Sequence, residues 1–375
     1  MNIPTGTHES THSISPHVNL ALQGGGSHGA FTWGVLDTLL ADGRIELDGV
    51  SGTSVGAMNA VAMAHGFAHA SGKSRMEMRE SARASLEQFW EGVVKMGEFT
   101  SSISQVQRAP FDILFGGFGG LTGDQSPSQV LTDAMTSFWT KSVSPYQSNP
   151  LDINPLKNFL ERLIDFERIA AYKALKIFVV ATAVATGKAE IFFGKRLTAS
   201  AVMASACLPT VFHAVEIEGQ HYWDGGYSGN PAIHPLIYQC HSRDIVLVQI
   251  NPIKRDKLPT NAGEILDRLN EITFNAALIA EMRAIDFVKK LLAQGKLDPE
   301  RYKDVLMHRI DGGEILEGFH ASTKSATDAK LIHTLRDLGK DCARLWLAKR
   351  FSSLGVTSSV NIARDYLDDL RVPSK

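Results

Sequence analysis

Between Val18 and Gly66 the chain twice runs from a short apolar segment through a glycine-rich turn into a longer helical pattern, and this repetition constrains its fold more than any other feature. The first unit reads as a strand at Val18 to Gln23, a turn rich in glycine (Gly24, Gly25, Gly26 and Gly29), and a helix from Ala30. The second reads as a short strand near Gly49 to Thr53, a turn Gly52-Thr53-Ser54-Val55-Gly56, and a helix from Val55 to about Gly66. Strands alternating with helices over short connections predict right-handed βαβ packing around a mostly parallel sheet. Further strands are expected in "LKIFVVATAVAT", "AEIFFG", "FHAVEIEG" and "DIVLVQIN".

Two ligand classes fit the first turn. Gly24, Gly26 and Gly29 match G-x-G-x-x-G, the spacing of a dinucleotide site, but such turns serve any negative charge brought to backbone N–H groups at a helix N-terminus. The second turn decides between them. A dinucleotide unit needs an acidic residue at the end of its second strand to bind ribose. Here Glu46 and Asp48 are read as preceding that strand, and Ser54 stands at its end.

Gly52-Thr53-Ser54-Val55-Gly56 is a G-x-S-x-G between strand and helix, the context of a nucleophile elbow. A serine there is exposed at the carboxyl end of the sheet and beside the positive end of a helix. The Gly24-Gly25-Gly26 run, on a neighbouring strand, then offers backbone N–H groups as an oxyanion hole, each such donor being worth about 2.7–4 kcal/mol of transition-state stabilisation. Serine also needs a base. Asp224, followed by Gly225 and Gly226 at the end of an expected strand, is the candidate; Asp-Gly-Gly is equally the signature of a plain tight turn.

Composition removes other classes. With 38 basic and 40 acidic residues, a net charge of −2 and no long single-sign run, the chain lacks a nucleic-acid footprint. Three scattered cysteines, Cys207, Cys240 and Cys342, predict neither a disulfide framework nor a Cys-x-x-Cys metal site, and no cofactor or metal is expected. The 44% hydrophobic content supplies a large core, yet no window reads as a membrane-spanning helix. Residues 1–15 read as a disordered lead-in rather than a signal peptide, so the expected location is cytoplasmic, with any lipid contact peripheral.

The motifs "GGGSHG", "GTSVG" and "DGG", in that order and with "ASACLPTVF" ahead of the last, resemble the patatin-like phospholipases over about Val18 to Asn251. The resemblance implies a three-layer α/β/α fold and a Ser–Asp dyad, with Ser54 as nucleophile, Asp224 as base, Gly24, Gly25 and Gly26 as the oxyanion loop, and Pro209 near the site. Gly29, Gly52, Gly56, Gly225 and Gly226 are its motif glycines. It further implies phospholipid or lysophospholipid esters as substrate. One departure is His28, where the family often carries Arg or Lys; it is read either as a partly charged substitute or as an anchor for the loop.

Residues 16–252 are thus expected to form the catalytic domain, with an insertion at about 68–172. Within it "MEMRESARASLEQFWEGVV" reads as helix, and "APFDILFGGFGGLTG" as either an apolar lid or a loop filling core space. Residues 253–375 are expected to be a helical region packed on the core. One long helix begins at an Asn261/Glu264 capping box, carries Ile265, Leu269, Ile272, Ile279, Met282 and Leu292 on its apolar stripe, and stops at Gly295; another spans about Lys324 to Arg350. Three rival functions stay open: a Ser-His-Asp hydrolase using His213, His221, His234, His308, His320 or His333, a lipid acyltransferase, and a non-catalytic lipid-binding protein.

Overall fold

A computed structural model describes residues 15–101, 144–148, 154–209, 212–260, 262–318 and 328–367. Strand β1 (His17–Leu22) turns into α1 (Gly29–Asp42), β2 (Glu46–Thr53) turns into α2 (Val55–His69), and α3 (Arg75–Ser101) follows. Next come the short helices α4 (Pro145–Ser148), α5 (Pro155–Leu163) and α6 (Phe166–Ala171), then β3 (Lys176–Ala183), β4 (Ala189–Phe193) and α7 (Ala199–Ser205). A hairpin of β5 (Val215–Ile217) and β6 (Gln220–Asp224) leads to α8 (His234–Gln239) and β7 (Asp244–Gln249). The remainder holds α9 (Ala262–Ala293), β8 (Leu306–Asp311), α10 (Gly313–Glu317) and α11 (Ala329–Arg350).

The eight strands make one sheet, paired in the order β5-β6-β3-β2-β1-β7-β8, with β4 on β3. From β3 to β8 every pair is parallel. Alternate side chains divide the core between the two faces. Leu20, Leu22, Val50, Val246 and Val248 join a cluster with α1, α2, α3 and α11. Ala21, Ile245 and Leu247 join the other, with Leu236 of α8 and Leu278, Met282 and Ile285 of α9. This is the three-layer α/β/α arrangement, and burial on both faces explains why β1 and β7 read as mainly apolar runs rather than as alternating ones.

Several boundaries differ from the sequence reading. Glu46 and Asp48 lie inside β2, which begins earlier than Gly49. "FHAVEIEG" is half of a hairpin whose turn residues, Glu218 and Gly219, both have positive φ. Residues 253–375 are not helix alone, because β8 extends the sheet in parallel with β7. Its sequence, Leu306-Met307-His308-Arg309-Ile310-Asp311, gave no apolar run because a fully buried position is filled by His308, neutralised in its demand for partners by Asp244 at 2.9 Å and Ser359 at 3.1 Å.

The stripe expected on α9 is displaced in its first turns. Ile265, Leu269 and Ile272 are exposed, whereas Met282 is buried as expected and Glu271, Asn275, Leu278 and Ile285 are buried with it. Two of those inward residues are polar because this end of the helix covers a polar network, described below. Asn261 and the "APFDILFGGFGGLTG" stretch lie outside the described residues, so neither the capping box nor the lid is addressed by the structure.

Candidate active site

Ser54 is the residue on which β2 ends and α2 begins. Its backbone sits at φ 54°, a conformation that side chains other than glycine rarely adopt. Such strain, on the order of 1–3 kcal/mol, persists only where surrounding structure imposes it. Here Gly52 and Gly56 make the sharp reversal possible: a Cβ on Gly52 would lie 2.6 Å from the Gly56 oxygen, and one on Gly56 would lie 2.3 Å from the Leu22 oxygen of β1. Ser205, at the end of α7, accepts the Ser54 N–H at 2.8 Å. Gly29 packs against the side chain of Val55, which draws α1 and α2 together beneath the elbow.

Asp224 reaches Ser54 through strand register. Ala181 and Thr182 pair with both β4 and β6, so those strands occupy opposite edges of β3, and β6 shares the edge held by β2. The two strands meet end to end. Thr53, the last residue of β2, pairs with Val180, and Asp224, the last residue of β6, pairs with Ala181. The Ser54 hydroxyl therefore lies beside the Asp224 carboxyl, close enough to favour its ionised form. Asp224 Oδ1 also accepts the Gly226 N–H at 2.6 Å, while its own N–H donates to the Cys207 carbonyl at 2.7 Å. Burial pushes its carboxyl up to about 7, against the opposing effects of the Gly226 N–H and the Ser54 hydroxyl.

Gly225 lies so close to β3 that a Cβ would meet the Val180 oxygen at 2.2 Å, and Gly226 abuts the Phe274 ring of α9. Tyr227 stands edge-on to Phe274 at 5.4 Å; burial, with the Asp224 carboxylate adding to it, pushes its phenol up to about 12. Tyr227 and Phe274 therefore form an aromatic wall beside the carboxylate. The "ASACLPTVF" segment contributes Ser205 and Cys207 to the site, and Pro209 ends that described stretch.

The glycine loop crosses directly beside the elbow, since a Cβ on Gly24 would lie 2.7 Å from the Ser54 Cβ. Gly26 takes φ 58°, a left-handed turn that suits glycine. One member of the expected oxyanion hole is corrected: the Gly24 N–H donates to Asn230 Oδ1 at 2.6 Å and is occupied. Among the described residues no hydrogen bond takes the N–H of Gly25 or Gly26, which leaves these two as the available donors. His28 is buried in the turn that opens α1.

Four buried amides hold this loop, and sequence reading found none of them. Asn251 Nδ2 donates to the Gly24 oxygen at 2.6 Å, and Gln23 Oε1 accepts from the Ile250 and Asn251 N–H groups, both at 2.9 Å. Gln23 Nε2 donates to the Asn230 oxygen at 3.2 Å and to Asn275 Oδ1 of α9 at 3.3 Å. Asn230 lies in "SGNP" just after the Asp-Gly-Gly turn, the one available sequence cue.

The candidate histidines are engaged elsewhere. His308 pairs with Asp244 at the amino end of β7, opposite to the end of the sheet that carries Ser54. His234 pairs with Glu281, His333 with Glu91, and His213 stacks on Tyr146. His221 faces Glu216 at 3.9 Å, and His320 lies outside the described residues. Among the described residues no three His, Cys, Asp or Glu side chains converge to hold a metal ion, and no helix is long and apolar enough to cross a membrane.

No significant match was found among curated proteins. A solved structure, "Crystal structure of VipD from Legionella pneumophila", aligns over 95% of this chain and 73% of that chain at 13% identity and a TM-score of 0.39, too remote for any residue role to be transferred. The family model "Patatin-like phospholipase" matches residues 20–237, more than half of the chain and the span that carries Ser54, Asp224 and the glycine loop. The chain belongs to the patatin-like phospholipase family, a family of lipid acyl hydrolases.

Proposed function

We propose that this protein hydrolyses carboxylic esters of phospholipids or lysophospholipids through a Ser54–Asp224 dyad and an acyl-enzyme. The observation that carries the reading is the juxtaposition of Ser54, on a strained turn at a helix N-terminus, with the buried carboxyl group of Asp224 at the facing end of β6. In the first half-reaction Asp224 accepts the Ser54 proton as Oγ attacks the acyl carbonyl carbon. The N–H groups of Gly25 and Gly26 donate to the resulting oxyanion, and Asp224 returns its proton to the departing alcohol. Water then enters, gives a proton to Asp224 and attacks the ester carbonyl; Ser54 leaves, regains the proton, and a fatty acid departs. Supporting the dyad over a triad, Ser54 and Asp224 stand at strand ends that meet on one edge of β3, and the histidines weighed above have other partners where they are described.

The test is labelling by a fluorophosphonate probe of the wild type, Ser54→Ala and Asp224→Asn, with fatty-acid release from mixed phospholipid vesicles. Labelling is expected to vanish in the first variant and to slow at least a hundredfold in the second. An unlabelled, folded wild type would favour a lipid-binding role, and acyl transfer to an added alcohol in place of fatty-acid release would favour an acyltransferase.

A further inference from the structure

A cavity of about 320 Å³ opens on the flank of β3 away from the active site. Its floor is apolar, built from Ile169, Leu175, Phe178 and Leu197, and its rim carries Lys173 and Lys176. It is a different site from the elbow. Lys176 is the first residue of β3 and pairs with Gly49, whereas Ser54 follows Thr53, which pairs with Val180 four residues further along. No residue of the glycine loop, the elbow or the Asp-Gly-Gly turn lines it.

Three features restrict what the cavity takes. Its volume falls within the range of small-molecule sites, roughly 300–1,000 Å³. Phe193, also in its wall and tilted against Phe178 with ring centroids 5.8 Å apart, is left 51% exposed, an apolar surface that water covers unless a ligand does. The two lysines have no carboxylate partner among the described residues: Lys173 Nζ donates to the Ala170 carbonyl and Lys176 Nζ to the Gln239 carbonyl, both neutral. Each ammonium retains N–H donors beside an apolar slot, and no acidic side chain lines the cavity.

We propose that this cavity binds an anionic amphiphile, a fatty-acid carboxylate with its acyl chain on the Phe178–Leu197 floor and its head between Lys173 and Lys176. An uncharged alkane would leave the lysines unused, and a bare anion would leave the floor wet. A carboxylate on an alkyl chain satisfies both, through charge-assisted hydrogen bonds at the rim and apolar burial below. The ligand class is that of the product proposed for the Ser54 reaction, but the cavity's chemistry does not depend on that reaction.

The experiment uses the full chain with Ser54→Ala, so that no turnover occurs, and 11-(dansylamino)undecanoic acid as the fluorescent probe. Saturable binding is expected, displaced by decanoate. Lys173→Gln with Lys176→Gln should weaken the probe at least tenfold while leaving competition by decanol unchanged. Ala170→Trp, which fills the mouth from the half-buried end of α6, should abolish binding. Equal affinity in the intact and double-lysine proteins would overturn the proposal, as would displacement by inorganic phosphate but not by decanoate. The lysine pair lies at the surface, so it decides the question even if Ala170→Trp misfolds. Fluorophosphonate labelling of the lysine variants on the Ser54 background reports the dyad separately: loss of labelling in the wild type would sink the hydrolase reading and leave this one standing.

Discussion

The Ser54 N–H donates to the Ser205 hydroxyl at 2.8 Å, so a strained residue between β2 and α2 is held by a third element, α7. Both groups are buried, and leaving such an N–H without an acceptor costs about 1–3 kcal/mol. Ser205→Ala is therefore expected to lower the melting temperature and to slow fluorophosphonate labelling at least tenfold, because the elbow relaxes. Reversible affinity for the probe should hardly change. Labelling at the wild-type rate would show that the elbow keeps its shape unaided.

Asp224 sets the pH dependence. As a base it must be ionised, and with burial raising its carboxyl to about 7 the rate should rise through neutrality and fall steeply below it. Stability should run the other way. A folded pKa above the unfolded value means that the native state binds the proton more tightly, so this group stabilises the fold below about pH 4, and that contribution is lost as pH rises to about 7. The difference of about 3 units corresponds to up to about 4 kcal/mol. Asp224→Asn is expected to be inactive yet to melt higher than wild type at pH 8, with little difference at pH 4; melting curves at the two pH values check it.

Asn230 holds the Gly24 N–H at 2.6 Å and so fixes the direction in which Gly25 and Gly26 present theirs. An oxyanion hole works by being aligned before the charge forms. Asn230→Ala should lower kcat for a short soluble ester at least tenfold with KM nearly constant. An increase in KM at constant kcat would instead make Asn230 a substrate-binding residue.

How much of this was readable depended on what each residue reports. Ser54, Gly52 and Gly56 were legible because a strand-to-helix reversal needs a fixed local spacing, and that spacing is written in consecutive residues. The parallel sheet was legible for the same reason, in the doubly buried runs of β1 and β7. Gln23, Asn230, Asn251, Asn275 and Ser205 were not: each acts across 151 to 252 residues of chain, and a lone amide or hydroxyl carries no periodicity. The first turns of the α9 stripe are misleading in sequence because hydropathy assigns Glu271 and Asn275 outward, whereas Asn275's partners lie inside.

The packing of α1 on α11 gives a test away from the chemistry. Gly34 lies against the backbone of α11 so closely that a Cβ would stand 1.8 Å from the Arg336 oxygen, and Gly339 returns the relationship at 2.1 Å from the Phe31 oxygen. Backbone cannot move aside as a flexible side chain can. Gly34→Ala should cost about 3 kcal/mol, the upper end for overpacking, and lower the melting temperature by several degrees. A neutral effect would mean that the two helices separate easily.

Asn275 decides whether the region beyond the family match covers the catalytic domain or completes its site. Its Oδ1 accepts from Gln23, whose own oxygen fixes Ile250 and Asn251, and Asn251 in turn holds Gly24. Its Nδ2 donates to the Pro252 carbonyl at 3.0 Å, anchoring the same segment from the other side. If α9 only covers apolar surface, Asn275→Leu should be tolerated or stabilising. If it completes the site, the substitution strands a donor on Gln23 and frees the Pro252 carbonyl, and the disturbance travels two hydrogen bonds to the glycine loop. The second outcome is expected: labelling of Ser54 at least tenfold slower, with a stability loss of about 1–3 kcal/mol. Ile272→Ala, an exposed position on the same helix, is the control and should match wild type in both. Measuring the two variants side by side separates a helix that merely covers the sheet from one that supports the catalytic loop.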